Sequence, residues 1–177
     1  MLQQFLSNLR HKMELDEIEQ RLAMVPQPDG EFGVDPFGFD PSYIRHLVLP
    51  MLLLYKYYFR VIVSGAENIP STRCLLIANH SGQIPYDGIM INSAVFKEAD
   101  PPRVVRSMVD RFVPSTPFIS YLFPRIGQIV GTPENARRLL EREEILLVFP
   151  EGVPGLNKTW DYRYQLQPFG LGFMRLA

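Results

Sequence analysis

Residues 74–82 read CLLIANHSG, and residues 145–152 read ILLVFPEG. Each stretch is a short, uninterrupted apolar run that ends in polar or turn-forming residues, a pattern typical of buried strands in a parallel sheet. Sites in such sheets gather at the carboxyl ends of the strands, where the loops converge. If the two strands lie near each other, His80 and Glu151 therefore face one cleft.

Further apolar runs predict strands over 60–64, 104–109 and 126–130, with helices over 88–98 and 133–143 between them. The second helix has a clear start, because Thr132 suits the cap, Pro133 the first helical position and Glu134 the positive end of the dipole. Alternating strands and helices predict an α/β fold with a mostly parallel sheet flanked by helices.

The N-terminal third of the sequence differs from the rest. Apolar residues recur at helical spacing over 2–24, Pro, Gly and Asp crowd 26–41, and a second amphipathic helical pattern covers 44–58. We therefore predict an N-terminal amphipathic helix and linker over 1–40, and one domain over 41–177. The acidic polar face of the first helix favours packing over lipid contact. Tyrosines and Phe59 at the end of the second pattern are typical of a membrane–water boundary.

Composition excludes several classes of partner and of binding site. The 177 residues carry 18 basic and 19 acidic side chains, so there is no positive field to attract nucleic acid, and we expect no nucleic-acid partner. A single cysteine excludes an internal disulfide, and no cluster has metal-ligand spacing, so we expect no metal and no cofactor. No secretory leader and no apolar run of about 20 residues is visible. The expected location is the cytoplasm.

His80 is the residue best placed for chemistry. An imidazole titrates near neutral pH and can act as a general base, provided that a carboxylate fixes its tautomer. Asp87 is the nearest candidate, although capping of the helix that follows explains it as well, and one carboxylate is not expected to fill both roles easily. The sequence has no Gly-x-Ser-x-Gly elbow and no Walker loop.

Together, the stretches 79–88 (NHSGQIPYDG) and 148–152 (VFPEG) resemble the phospholipid and glycerol acyltransferase superfamily. The bacterial branch related to monoacylglycerol acyltransferases is the most similar. Flanking residues 65–70, Gly127, Asn135-Ala136 and 158–177 extend the resemblance over roughly 41–177.

This resemblance implies transfer of a fatty acyl chain from acyl-CoA or acyl-carrier protein to the hydroxyl of a lysophospholipid or glycerol derivative, at a membrane surface. His80 would be the base and Asp87 its orienting partner. It also implies two supporting residues, Asn79 and Ser81, and an acceptor-binding set of Pro150, Glu151, Gly152, Lys158 and Arg163.

Three departures from the family pattern shape our expectations. Six residues separate His80 from Asp87, more than in the usual histidine box, so we expect either that the loop bulges or that another carboxylate takes the role of Asp87. The arginine that often binds an acceptor phosphate after the glycine matching Gly127 is missing. Candidates to replace it are Arg125, Arg137, Arg138, Lys158 and Arg163, although surface positions on a helix explain Arg137 and Arg138 equally well. A neutral acceptor therefore stays open beside a phosphate-bearing one.

The third departure is at the C-terminus, where family members continue into another strand. We therefore expect a C-terminally truncated chain with little or no activity as an isolated fragment. The alternative hypothesis is a catalytically inactive module of the same fold that binds lipid or acyl chains.

Overall fold

The computed structural model describes residues 15–28, 30–80 and 84–177. The first part of the predicted N-terminal helix, up to residue 14, lies outside the described residues. Within them the regular elements follow in this order: α1 Leu15–Met24, α2 Pro41–Leu53, β1 Cys74–Ile77, α3 Tyr86–Glu98, β2 Arg106–Val109, α4 Ile119–Arg125, β3 Ile129–Val130, α5 Pro133–Glu141, β4 Ile145–Val148 and α6 Gly152–Leu156.

All four strands run parallel in the order β1-β4-β2-β3, which confirms the predicted α/β fold with a parallel sheet. The pairing of β1 with β4 extends from Cys74 opposite Ile145 to Ile77 opposite Val148. Strands that lie side by side in parallel end at the same edge of the sheet. The stretches 74–82 and 145–152 are therefore neighbours.

Helices cover both faces of β4, one of the two central strands. Ile145 and Leu147 pack with Val95 of α3 on one face, whereas Leu146 packs with Leu139 of α5 on the other. Successive side chains of a strand point to opposite faces. A strand buried on both sides must therefore be apolar at every position, which explains the unbroken run of the sequence.

Helix α1 packs on the domain, as its acidic polar face predicted. Ile18 and Leu22 join a core cluster with Leu52 of α2 and with Met90 and Phe96 of α3. Helix α2 continues into a π-helical turn, Leu54–Tyr58. No helix among the described residues is both long and apolar enough to cross a membrane.

The predicted strand over 60–64 is wrong. Arg60 has a positive φ of 49° and ends the preceding helical turn, and the N–H of Val61 donates to the carbonyl of Tyr55 at 3.1 Å. No strand of the described sheet pairs with this segment, and Ile62 is 94% exposed. Of the β-branched residues that suggested a strand here, Ile62 and Val63 lie on the surface, whereas Val61 packs against the core cluster of α1, α2 and α3.

A buried ion cluster ties the linker to the sheet. Arg106 of β2 is 1% exposed, and its Nη2 lies 2.7 Å from Asp35 Oδ2, while Nη1 lies 3.3 Å from Glu144. The guanidinium also lies over the ring of Phe39, 4.7 Å from its centroid. Burial raises the pKa of Glu144, and the nearby Arg106 opposes that rise.

We predict that Arg106→Met lowers the free energy of unfolding by about 3–5 kcal/mol, because it leaves two carboxylates without their cation. Urea denaturation measures this change. Arg137→Met is the control, since Arg137 pairs with Glu134 and Glu141 on the exposed face of α5 and its loss should change stability little. Equal losses for the two variants would contradict the assignment.

Candidate active site

His80 follows β1 at the carboxyl edge of the sheet. The N–H of Ala78 still donates to the carbonyl of Val148, at 3.2 Å, so the chain leaves the sheet only two residues before the histidine. The imidazole is 8% exposed and stacks on Phe149, with the ring centroids 3.9 Å apart and the planes 14° apart. One face of the imidazole is therefore covered by the ring of Phe149.

Asp87 contacts the histidine and lies in the first turn of α3. Its Oδ2 lies 2.7 Å from His80 Nδ1, while its Oδ1 accepts from the backbone N–H of Gly88 at 2.7 Å. The capping alternative is wrong, because α3 begins at Tyr86 and its N-cap residue, Pro85, makes no side-chain cap. The wider spacing between His80 and Asp87 does not keep them apart.

Glu151 is almost completely buried beside His80. Its Oε1 accepts from the backbone N–H of His80 at 3.0 Å, and its Oε2 accepts from the N–H of Gln167 at 2.8 Å. Burial works to raise the pKa of Glu151, but the hydrogen bonds from Lys158 and from these two backbone groups outweigh it and hold the pKa below its usual value. The side chain is therefore an anion at neutral pH.

Lys158 contacts both Glu151 and His80. Its Nζ lies 2.5 Å from Glu151 Oε2 and donates to the backbone carbonyl of His80 at 3.2 Å, and its side chain is 5% exposed. Sequence reasoning assigned Lys158 and Glu151 to acceptor binding. That role stays a prediction, and here the two charged groups bind each other.

Gly155 and Gln167 are site residues that sequence reasoning missed. A Cβ atom at Gly155 would lie 2.8 Å from the Cβ of Glu151 and 3.0 Å from that of His80, so only glycine lets α6 pack this closely. Gln167 acts through its backbone N–H alone, and a backbone contact leaves no signal in the side-chain pattern. For Gly155, the spacing Gly152-x-x-Gly155 after the buried strand was the available signal.

The remaining predicted residues lie around this group. Gly152 has a positive φ of 56°, and the carbonyl of Pro150 accepts from the N–H of Gly170 at 2.8 Å. Asn79 is exposed next to His80, and Ser81 lies outside the described residues. Arg163 lies over the ring of Trp160, 4.0 Å from its centroid, and no described contact joins it to His80, Asp87 or Glu151.

The geometry suits proton transfer at one nitrogen of His80. A carboxylate oxygen can only accept, so Asp87 favours the tautomer with the proton on Nδ1 and the lone pair on Nε2. Within the described residues no group hydrogen-bonds to Nε2. An imidazole held in this way can take a proton from a hydroxyl group, and Asp87 then stabilises the imidazolium. No set of three or more potential ligand side chains in the described part of the chain could hold a metal ion.

Comparison with known proteins identifies the family. The family model described as "Acyltransferase" matches residues 60–177, a range that includes every strand and both His80 and Glu151. The chain belongs to this acyltransferase family. Its members form the glycerolipid acyltransferase superfamily, which the resemblance of the histidine and glutamate stretches had indicated.

The relatives of this acyltransferase domain are mycobacterial. It is 40% identical over 171 residues to an uncharacterized protein of Mycobacterium leprae, and this alignment covers 92% of this chain and 47% of that protein. It is also 41% identical over 145 residues to uncharacterized proteins of Mycobacterium bovis and Mycobacterium tuberculosis, which covers 81% of this chain and 40% of each of them. The chain thus spans about half the length of these curated relatives or less. No solved structure matches it.

We predict that Gly155→Ala destabilises the domain by about 1–3 kcal/mol, because the added methyl group overlaps Glu151 and His80. Urea denaturation measures the loss. The matched control is Gly172→Ala, where no atom lies within 4 Å of the added Cβ and the change should be nearly neutral. If the two variants unfold at the same urea concentration, α6 does not pack against His80 as described.

Proposed function

We propose that this protein transfers a fatty acyl chain from the thioester of CoA or acyl-carrier protein to the hydroxyl of a lysophospholipid or glycerol derivative. The contact of 2.7 Å between His80 Nδ1 and Asp87 Oδ2 carries the proposal, because it leaves the lone pair of Nε2 free to accept a proton. Family membership supports the transfer of an acyl group, and the pair supplies the base that such a transfer requires.

In the proposed reaction, Nε2 of His80 removes the proton of the acceptor hydroxyl as the oxygen attacks the thioester carbonyl. The bond from oxygen to the carbonyl carbon forms and the carbon–sulfur bond breaks. The imidazolium then returns its proton to the departing thiolate, so the products are an ester and a free thiol. Asp87 stabilises the transient imidazolium, and no acyl-enzyme forms.

One of the two observations behind the alternative of an inactive lipid-binding module was the unusual spacing between His80 and Asp87. That spacing is compatible with a short hydrogen bond between the two side chains. The catalytic proposal is therefore the one that the geometry of the described residues favours.

We further propose that the protein works at a membrane surface, as a peripheral protein on the cytoplasmic side. The exposed rings of Tyr58, Phe59 and Tyr86 form an aromatic surface that supports this proposal, and Tyr57 and Ile62, close to them in the sequence, are exposed as well. The rings of Tyr58 and Phe59 lie 4.8 Å apart, and those of Phe59 and Tyr86 lie 5.3 Å apart. Tyr86 precedes Asp87, so this surface reaches the edge of the site, where a lipid substrate would enter from the bilayer.

We expect His80→Ala to lower kcat for acyl transfer by about 100- to 10,000-fold, since that is the usual contribution of general acid–base catalysis. The assay uses the protein at the full length that its gene encodes, and it measures ester formation and thiol release together. Oleoyl-CoA and oleoyl-carrier protein are the donors, and lysophosphatidate and monoacylglycerol are the acceptors. His46→Ala, at an exposed position of α2, should keep full activity. Unchanged turnover in His80→Ala would disprove the assignment of the base.

We expect the double variant Tyr58→Ser, Ile62→Ser to bind lipid vesicles at least tenfold more weakly, because each exposed side chain that enters the interface contributes about 1 kcal/mol or more. Co-sedimentation with phosphatidylcholine vesicles, with and without phosphatidylglycerol, measures this. The control pair Tyr164→Ser, Leu171→Ser removes exposed apolar side chains elsewhere and should bind as the wild type does. An equal loss of vesicle binding in both pairs would show that exposed apolar side chains bind lipid wherever they lie, and would contradict a specific docking surface.

A further inference from the structure

The peptide unit of His80 is held on both sides by one buried ion pair. On one side, Glu151 Oε1 accepts from the backbone N–H of His80 at 3.0 Å. On the other, Lys158 Nζ donates to the backbone carbonyl of the same residue at 3.2 Å. The two side chains are joined by the contact of 2.5 Å between Nζ and Oε2, and they are 5% and 0% exposed.

This burial distinguishes the pair from exposed ion pairs of the chain. The pair of Arg73 and Glu143, for example, has an N–O distance of 3.1 Å, but its side chains are 61% and 51% exposed. A buried carboxylate that lost its cation would face a large desolvation cost, and it would move, take up a proton or admit water. Any of these changes would release the N–H of His80, because that N–H depends on the same carboxylate.

Both charged groups already have partners inside the domain. Oε1 accepts from the N–H of His80, and Oε2 from Lys158 and the N–H of Gln167. Two of the three N–H donors of the Lys158 ammonium group are directed to Glu151 and to the carbonyl of His80. Its side chain is 5% exposed, which leaves an anionic headgroup little access to it.

We infer that Lys158 is a positioning residue, which acts with Glu151 to hold the backbone of His80 so that Nδ1 stays on Asp87 and Nε2 faces the acceptor hydroxyl. The inference rests on the proposed role of His80 as the base. It assigns to Lys158 a function in the rate of transfer and none in the recognition of acceptor charge.

A positioning role and an acceptor-binding role make different kinetic predictions. A displaced base slows the chemical step for every acceptor, since a misplacement of about 1 Å can cost about 100-fold in rate. A lost anion-binding group raises KM for a charged acceptor and leaves a neutral one unaffected. Lysophosphatidate and monoacylglycerol differ in this charge, so the two acceptors separate the two roles.

We expect Lys158→Met in the full-length protein to lower kcat by about 10- to 100-fold for both acceptors by the same factor, with each KM within about twofold of the wild-type value. Arg73→Met, which breaks the exposed pair before β1, is the matched control and should keep wild-type kinetics. A raised KM for lysophosphatidate alone would overturn the inference in favour of acceptor binding. So would unchanged kinetics for both acceptors.

The double variant Lys158→Met, Glu151→Gln keeps the inference testable if the single variant does not fold. It removes both charges, and neutral replacement of a whole buried pair is often tolerated. The amide oxygen of Gln can still accept from the N–H of His80. We therefore expect the double variant to fold and to be at least as active as Lys158→Met. A loss in the double variant equal to the combined losses of Lys158→Met and Glu151→Gln would contradict the coupling.

A second readout does not depend on turnover. Nitrogen-15 chemical shifts of the imidazole report which ring nitrogen carries the proton, and a His80→Gln spectrum identifies the signals of His80 among those of the three histidines. In the wild type we expect the proton on Nδ1, and in Lys158→Met a mixture of the two tautomers, with Arg73→Met unchanged. An unaltered tautomer in Lys158→Met would overturn the inference even if acyl transfer itself were never detected. Absent turnover in the wild type would instead count against the proposed function.

Discussion

The hydrogen bond from the backbone N–H of His80 to the side chain of Glu151 joins the two halves of the site. The residues are 71 positions apart, and the bond forms because β1 and β4 lie side by side in parallel and end at the same edge. Three further contacts of the site depend on the same pairing of β1 with β4. The stacking on Phe149, the packing of Gly155 and the approach of Lys158 each require the histidine loop to lie against the turn after β4.

Much of this arrangement was predictable from the sequence because local rules and the global fold agree there. An unbroken apolar run predicts a strand that is buried on both faces, and the polar residues at its end predict a site at the carboxyl edge. That reasoning led to the α/β fold and brought His80 and Glu151 together. It failed at residues 60–64, where no strand of the described sheet pairs with the segment and Ile62 and Val63 are exposed, because strand propensity reflects available pairing as much as residue type.

The finer geometry of the site was out of reach for a different reason. Whether Asp87 turns to the histidine or to the helix depends on the direction of each of its oxygens, and the sequence carries no record of that. Lys158 lies 78 positions after His80, and its amine contacts a backbone carbonyl, so no spacing rule links the two residues. Lys158 belongs to this group of residues because its side chain is buried against Glu151. The burial of a side chain depends on the folded structure and is not visible in the sequence.

The central claim is that the acceptor hydroxyl meets Nε2 of His80. A crystal structure of the full-length protein with monoacylglycerol and a non-transferable thioether analogue of acyl-CoA tests this most directly. We expect the free hydroxyl within about 3.2 Å of Nε2. The carbon that stands in the analogue where acyl-CoA has its carbonyl carbon should lie next to that hydroxyl oxygen. An acceptor hydroxyl bound away from His80, with both ligands ordered, would contradict it.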